Sequence, residues 1–404
     1  MEFGFTEENE KLRKEVHDFF INELPEDYDS QSGARSDRKQ EDFQAELVKK
    51  AAQKGYTSAG WPKKYGGLGF TPIEQGIVSE QMSYWGVAWP GALGFSLVAP
   101  VILTAGTDAQ KEKFVPPIAR GEAICFECFT EPNAGSDEAS VQMRAVENGD
   151  SYILNGQKTF ISGGQKPDWL YTLARTTDTI PPHRGLSIFM VPGDAEGVSY
   201  RPLPTMGGSR QNEIFYDNVR VPKENLIGEK DRGFYLAMTT FEFERSAVSP
   251  DARLGMQRLV EFCRTEKKNG KPLIEDPDVR TMLARMAMHQ QVMWLAGWYA
   301  AWRRTAREKY GPQPYNLTMF MRKQWAPESA NMLMNTFGMY GQLEPESRYA
   351  RYNGSVGMRW ESSRMIHAAG TPEILQVVIA NRGLGLPRVP RKFNAMINEA
   401  LSEE

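Results

Sequence analysis

Two changes of hydrophobic period constrain what this chain can fold into. Apolar residues recur at helical spacing up to about residue 122, with a period of two from about 123 to 230, and at helical spacing again to the end. A helix brings i, i+3 and i+4 to one face, whereas a strand brings i and i+2. A segment patterned for one geometry cannot bury its apolar face in the other. The expectation is a multi-domain α+β chain with a helical domain at 1–122, a β domain at 123–230 and a second helical domain at 231–404. A length of 404 residues is enough for several domains and a sizeable core.

Local signals fill in these blocks. In "TEENEKLRKEVHDFF" Thr6 is a candidate N-cap, although Asn9 at N3 leaves the capping box incomplete. "QEDFQAELVKKAAQKG" reads as a helix stopped by Gly55. "YWGVAWPGALGFSLVAPVIL" reads as buried helix broken near Pro90, with room left by Gly86, Gly91, Ala92 and Gly94. In the β block "SYILNGQKTFIS" suggests two short strands around an Asn155-Gly156 hairpin turn. "DWLYTLART", "GLSIFMVP", "VSYRPLP" and "EIFYDNVRVP" suggest further antiparallel strands, closing into a small barrel or forming a sandwich. The last block opens at "DRGFYLAMTTFEFERSAVS", with Asp231 as N-cap, and includes one long helix beginning "DVRTMLARMAMHQQ".

Composition excludes several classes. A net charge of −3 offers no attraction for nucleic acid, and no run of about 18 apolar residues is present. The acidic, amphipathic N-terminus resembles neither a secretory signal nor a transit peptide, so a cytoplasmic protein is expected. Cys125 and Cys128 form a CxxC, but in a strand this spacing puts the thiols on opposite faces. His17, His183, His289 and His367 lack metal-ligand spacing, so no metal is expected.

The stretch "TTFEFERSAVSP" places charges in an apolar helix. Ala237, Phe241, Glu244 and Val248 fall on one stripe, at i, i+4, i+7 and i+11. Glu242 lies on the other side with Arg245, as a surface pair would. A carboxylate on a buried face loses hydration and becomes a better base near neutral pH. Pattern alone leaves two readings of Glu244, a working base or an interdomain ion pair.

Longer motifs narrow the choice. "FTEPNAGSD" (129–137), "NGQKTFISGG" (155–164), "PKKYGG" (62–67), "LTAGTDAQKEKFVPPIARGE" (103–122) and "DNVRVPKENLIG" (217–228) resemble the acyl-CoA dehydrogenases, in order and over essentially the whole chain. The resemblance implies an N-terminal helical domain, a central antiparallel β-barrel domain and a C-terminal four-helix bundle. It implies FAD between the last two, with a neighbouring subunit contributing. It places Phe129, Thr130, Phe160, Ser162, Thr371 and Glu373 beside the cofactor, and Ser136, Glu242 and Arg245 toward substrate. Arg264 matches an arginine offered to a partner's FAD pyrophosphate, although its spacing to Gly270 is longer than usual. The bundle's Q-x-x-G-G-x-G reads "NTFGMYG", so Asn335, Gly338 and Met339 stand at a pyrophosphate contact where Gln and Gly are usual.

The family's commonest position for its catalytic carboxylate, just before the "GT" of the C-terminal loop, is Ala369. The isovaleryl-type and long-chain-type members carry it on the helix before an arginine, which is Glu244. The implied reaction is α,β-dehydrogenation of an acyl-CoA thioester. The Ala369 N–H and a ribityl hydroxyl hold the carbonyl, Glu244 removes the α-proton, and hydride passes to flavin N5. Electron transfer flavoprotein is the implied acceptor, and a homotetramer or α2β2 heterotetramer the implied assembly. Small residues at 86–94 and the helix-borne base suggest a bulky, branched or cyclic acyl group. Two alternatives remain: a mainly structural subunit of a heterotetramer, and a flavin oxidase or monooxygenase.

Overall fold

The computed structural model describes residues 4–25, 28, 38–87, 92–164, 166–206, 210–245, 253–305 and 315–388. Helix α1 (Glu7–Glu23) starts where the Thr6 hydroxyl accepts the Asn9 N–H, at 3.2 Å. Helix α2 (Arg38–Gln53) is followed by Gly55 at φ 75°, the left-handed residue expected there. Helix α3 (Pro72–Trp85) carries a full capping box, Thr71 with Glu74. It ends at Gly86, while Pro90 and Gly91 lie outside the described residues. A π-helical turn (Gly94–Val98) runs into α4 (Ala99–Ala105), and α5 (Asp108–Ala119) follows. A Cβ on Gly94 would stand 3.2 Å from Ile118, so this turn packs closely against α5.

Eight strands follow: β1 (Cys125–Cys128), β2 (Arg144–Asn148), β3 (Ser151–Ser162), β4 (Trp169–Arg175), β5 (Leu186–Pro192), β6 (Val198–Pro204), β7 (Arg210–Pro222) and β8 (Leu226–Ile227). They join in the order β6-β7-β3-β2-β4-β5-β8, with β1 alongside β4. The expected closed antiparallel barrel is not what the described residues form. The sheet is an open path, and both β1 and β2 meet β4 in parallel. Its two ends are poor edges for closure. Strand β8 has two residues, and β6 carries Pro202 and Pro204, which lack the N–H that a further ladder needs.

The Asn155-Gly156 hairpin is also corrected. Strand β3 runs straight through this pair, with a bulge between Leu154 and Gly156 in its pairing with β7. Gly156 sits at φ 152°, and a Cβ there would come within 2.9 Å of the Met143 Cβ. The glycine serves a close approach, not a turn. The sheet's two faces feed two cores. Cys125 and Phe129 pack with the helices, and Phe126 and Cys128 pack within the sheet's other face. The two thiols of the CxxC are thus buried, free and on opposite sides. Burial pushes the Cys128 thiol up to about 12.

The C-terminal region contains α6 (Gly233–Arg245), α7 (Arg253–Thr265), α8 (Pro277–Thr305), α9 (Tyr315–Phe337), α10 (Ser355–Ser362) and α11 (Pro372–Val378). Asp231 does not cap α6. It sits at φ 66°, and its carboxylate accepts the Thr176 and Thr177 hydroxyls at 2.6 and 2.9 Å. Helix α9 packs on α8, α10 and α11, and α8 lies against α3. Glu80 of α3, 1% exposed, is central there. It accepts from Arg13 Nε and Trp294 Nε1, both at 2.8 Å, and from Trp298 Nε1 at 3.4 Å; Arg253 Nη2 lies at 3.8 Å. No described helix is long and apolar enough to cross a membrane.

Candidate active site

The turn after β1 is held from beneath. Lys158 is fully buried and donates to Glu131 Oε1 and to the Phe129 carbonyl, both at 2.8 Å. Glu131 also accepts the N–H groups of Gln142 and Met143, at 2.7 and 2.9 Å. Burial pulls the Lys158 ammonium below its ordinary range, and Glu131 opposes that shift. The brace fixes Phe129 and Thr130. The Thr159 N–H donates to the Thr130 carbonyl at 3.0 Å, which brings Phe160 beside them. Phe160 stands at φ 58° and is 56% exposed, and Ser162 is exposed two residues on.

The C-terminal loop comes to the same edge. Gln211, the register partner of Ser162, reaches Met365 Sδ at 3.8 Å. Lys323 of α9 is buried and donates to the Ile366 carbonyl at 2.8 Å and to that of Ala368. Ala369 at φ 57° and Gly370 at φ 86° turn the chain into α11. There the Thr371 hydroxyl accepts the Ile374 N–H at 3.3 Å. The backbone N–H of Glu373 and the Thr371 hydroxyl hold the Glu373 carboxyl below its usual range.

Helix α6 closes the third side. Phe241 meets the Phe129 ring edge-on with centroids 6.0 Å apart, and Thr240 bonds the Tyr171 hydroxyl at 3.2 Å. Glu244 is half-buried one turn beyond Thr240, whereas Glu242 is exposed, as their helix faces predicted. Val248 and the side chain of Arg245 lie outside the described residues.

FAD fits these residues. Large apolar side chains at Phe160, Met365 and Ile366 are left exposed around one edge, the surface a planar ring system would cover. Phe129, Thr130, Phe160 and Ser162 sit on the sheet side, and Ala369 to Glu373 on the loop side. Ser136 is exposed in the loop beyond Glu131.

Other expected cofactor residues lie elsewhere. Arg264 is exposed at the end of α7, 3.5 Å from Glu261. Asn335, Gly338 and Met339 are exposed at the far end of α9. At 1.5 Å per residue, Gly338 is about 22 Å along the helix direction from Lys323. Within one chain Asn335, Gly338 and Met339 do not meet the cluster around Phe160.

Sequence reading missed Lys323, Gln211 and two half-buried acids, Glu127 and Glu138, each with one oxygen shut off from solvent. The signal for Glu127 was present: it alternates with Cys125 and Phe129 along β1, so the period of two points its charge inward. Burial pushes Glu138 up to about 7. No group of side chains among the described residues has the makings of a metal site.

Sequence profiles of the acyl-CoA dehydrogenase N-terminal, middle and C-terminal domains match residues 6–122, 126–219 and 231–384. The chain belongs to the acyl-CoA dehydrogenase family. Acyl-CoA dehydrogenase FadE26 of Mycobacterium tuberculosis is 32% identical over 401 residues, covering 97% of this chain and all of that protein. The ChsE4-ChsE5 complex from Mycobacterium tuberculosis has a chain that superposes with a TM-score of 0.84 at 31% identity, covering 96% of this chain and 100% of that one. A chain of the Tcur3481-Tcur3483 steroid ACAD gives 0.83 at 30% identity, with coverage of 96% and 100%. This acyl-CoA dehydrogenase is therefore an oxidoreductase acting on acyl-CoA, and its family depends on FAD.

Proposed function

We propose that this acyl-CoA dehydrogenase oxidises a bulky, branched or ring-bearing acyl-CoA to its trans-2-enoyl-CoA, with Glu244 as the base. One observation carries the reading. Helix α6 packs Phe241 against Phe129 and carries a half-buried carboxylate, Glu244, three residues on, while the loop position that bears the acid in most relatives is Ala369. Bound FAD supplies the acceptor for the β-hydrogen. The protein's residues do the rest. The Ala369 N–H donates to the thioester carbonyl and stabilises the charge that develops there. Glu244 takes the α-proton, and the Lys158–Glu131 brace and the Lys323 anchor keep the two sides of the site in register.

The substrate class is supported by a relative described as a steroid enzyme. The assembly in this reading contains more than one subunit. Met288, Val292, Leu295, Tyr299 and Trp302 form an exposed apolar stripe on α8 at alternating spacings of four and three, the seam that a second helix covers. Asn335, Gly338 and Met339, too far from Phe160 in their own chain, then serve a neighbour's cofactor, together with Arg264. A pairing with a homologous second chain is favoured by Met339, 83% exposed where a glycine is usual, and by the two-component complex above. Electron transfer flavoprotein is the proposed acceptor, and the proposed domains are 1–122, 123–230 and 231–404.

The test is the visible spectrum of the purified protein under anaerobic titration with acyl-CoA thioesters. A branched or cyclic thioester should bleach the flavin band in the wild type, and Glu244→Gln should keep the band and not bleach. Bleaching by Glu244→Gln removes the base assignment, and faster turnover of butyryl-CoA than of any branched or cyclic thioester removes the substrate class.

A further inference from the structure

Glu127 is an acid that neither the fold nor the reaction just described accounts for. It lies on β1 between Cys125 and Phe129, and it stands in register with Tyr171 of β4. Side chains at paired positions point to the same face. The Tyr171 hydroxyl marks what that face meets, because it bonds Thr240 of α6 at 3.2 Å. Glu244 follows Thr240 by one helical turn and so lies on the same side of α6. Glu127 and Glu244 are thus directed into one space between β1 and α6. The residue keeps some exposure, but its Oε1 atom is fully buried and has no hydrogen-bond partner. That atom decides the ionisation, since an unpaired buried carboxylate is the costliest state open to it.

We infer that Glu127 and Glu244 form a carboxyl pair holding one proton between them, with Glu127 the protonated member and a positioning residue for the base. The inference rests on the reading of Glu244 as base.

The surroundings agree. Burial, then the charges of Glu244 and Glu138, hold the Glu127 carboxyl well above the usual carboxylate range. Among the described residues no cation reverses this. Lys158, on β3, is engaged by Glu131 and the Phe129 carbonyl. Tyr171, on β4, is itself pushed up by burial, and the Gly94–Val98 turn carries no titratable side chain. Cys125 and Cys128, on β1 itself, are kept as thiols by burial. Glu138, on the 138–140 turn, is a further acid with an unpartnered buried oxygen, Oε2. Two carboxylates cannot share such a space while both are ionised, so the more deeply held one keeps the proton. A neutral Glu127 can then donate its O–H toward the Glu244 carboxylate. That favours the ionised base and extends its working range to lower pH. The macroscopic titration belongs to the pair.

The experiment compares the FAD-loaded wild type with Glu127→Gln, Glu127→Leu and Glu244→Gln. Gln keeps a donor and Leu does not. The acid limb of kcat/KM should keep its pH position in Glu127→Gln and move up by about one unit or more in Glu127→Leu. If the Leu limb coincides with the wild type, or the Gln limb moves as far as the Leu limb, the inference falls. Infrared difference spectra at pH 7 give a second readout that needs no turnover, even where Glu127→Leu does not fold. A protonated-carboxyl band should be present in the wild type and lost in Glu127→Gln, while the signal of Glu138 cancels between the two. No difference band means Glu127 is ionised and the pair does not exist. Turnover by Glu244→Gln with the band intact removes the base assignment instead. An inactive Glu244→Gln without the band removes only the pair.

Discussion

Replacing Glu80 by Ala should destabilise this protein more than any exposed charge would. The Glu80 carboxylate joins α1, α3, α7 and α8 at one buried point, accepting from Arg13, Trp294 and Trp298 with Arg253 beside it. Alanine leaves two indole N–H groups without their acceptor and Arg13 with Glu10 alone. Breaking a buried pair by removing one partner costs roughly 3–5 kcal/mol. With unfolding entropy of roughly 2.1 cal/mol/K per residue, 404 residues carry about 0.85 kcal/mol/K, so the melting temperature should fall by about 4–6 °C. Glu80→Gln keeps the volume and one acceptor oxygen and should lose about half as much, in line with ~1.5–3 kcal/mol for a hydrogen bond to a charged group. Scanning calorimetry of the FAD-loaded protein measures both. A Glu80→Ala variant melting within about 1 °C of the wild type, well short of the shift worked above, would refute the argument. So would a Glu80→Leu variant more stable than Glu80→Gln, because hydrophobic filling would then outweigh the network.

Two further predictions concern Lys323 and Glu138. Lys323→Met should weaken FAD retention at least about tenfold, because the Ile366 and Ala368 carbonyls lose charge-assisted bonds of ~1.5–3 kcal/mol each; flavin absorbance per protein after dialysis reads this, and unchanged retention refutes it. Glu138, whose folded pKa is raised to about 7 from 4.5, binds its proton more tightly folded than unfolded. Its stabilisation is therefore complete below pH 4.5 and is lost as pH rises toward 7, a change of about 3 kcal/mol at 1.36 kcal/mol per unit. Glu138→Gln should flatten that part of the stability–pH curve, and melting temperatures across the window that track the wild type would count against it.

Sequence alone determined whatever depends on residues a few positions apart. The Thr6 cap and the Gly55 stop follow from local capping chemistry, and the opposite faces of Cys125 and Cys128 and the inward Glu244 opposite an outward Glu242 from strand and helix periodicity. Motif resemblance extended this to the family. Tertiary structure decided what depends on which distant segments meet. Asn155-Gly156 is a common turn pair, yet it became a bulge because Met143 packs against it and β7 pairs beyond it. Asp231 looked like a cap and is held by two threonines 54 and 55 residues back. Glu80 meets Trp294 across 214 residues, and Lys323 meets the Ile366 carbonyl across 43. No local period encodes such contacts, because folding exchanges the hydration of each polar group for whichever partner the packed elements bring to it.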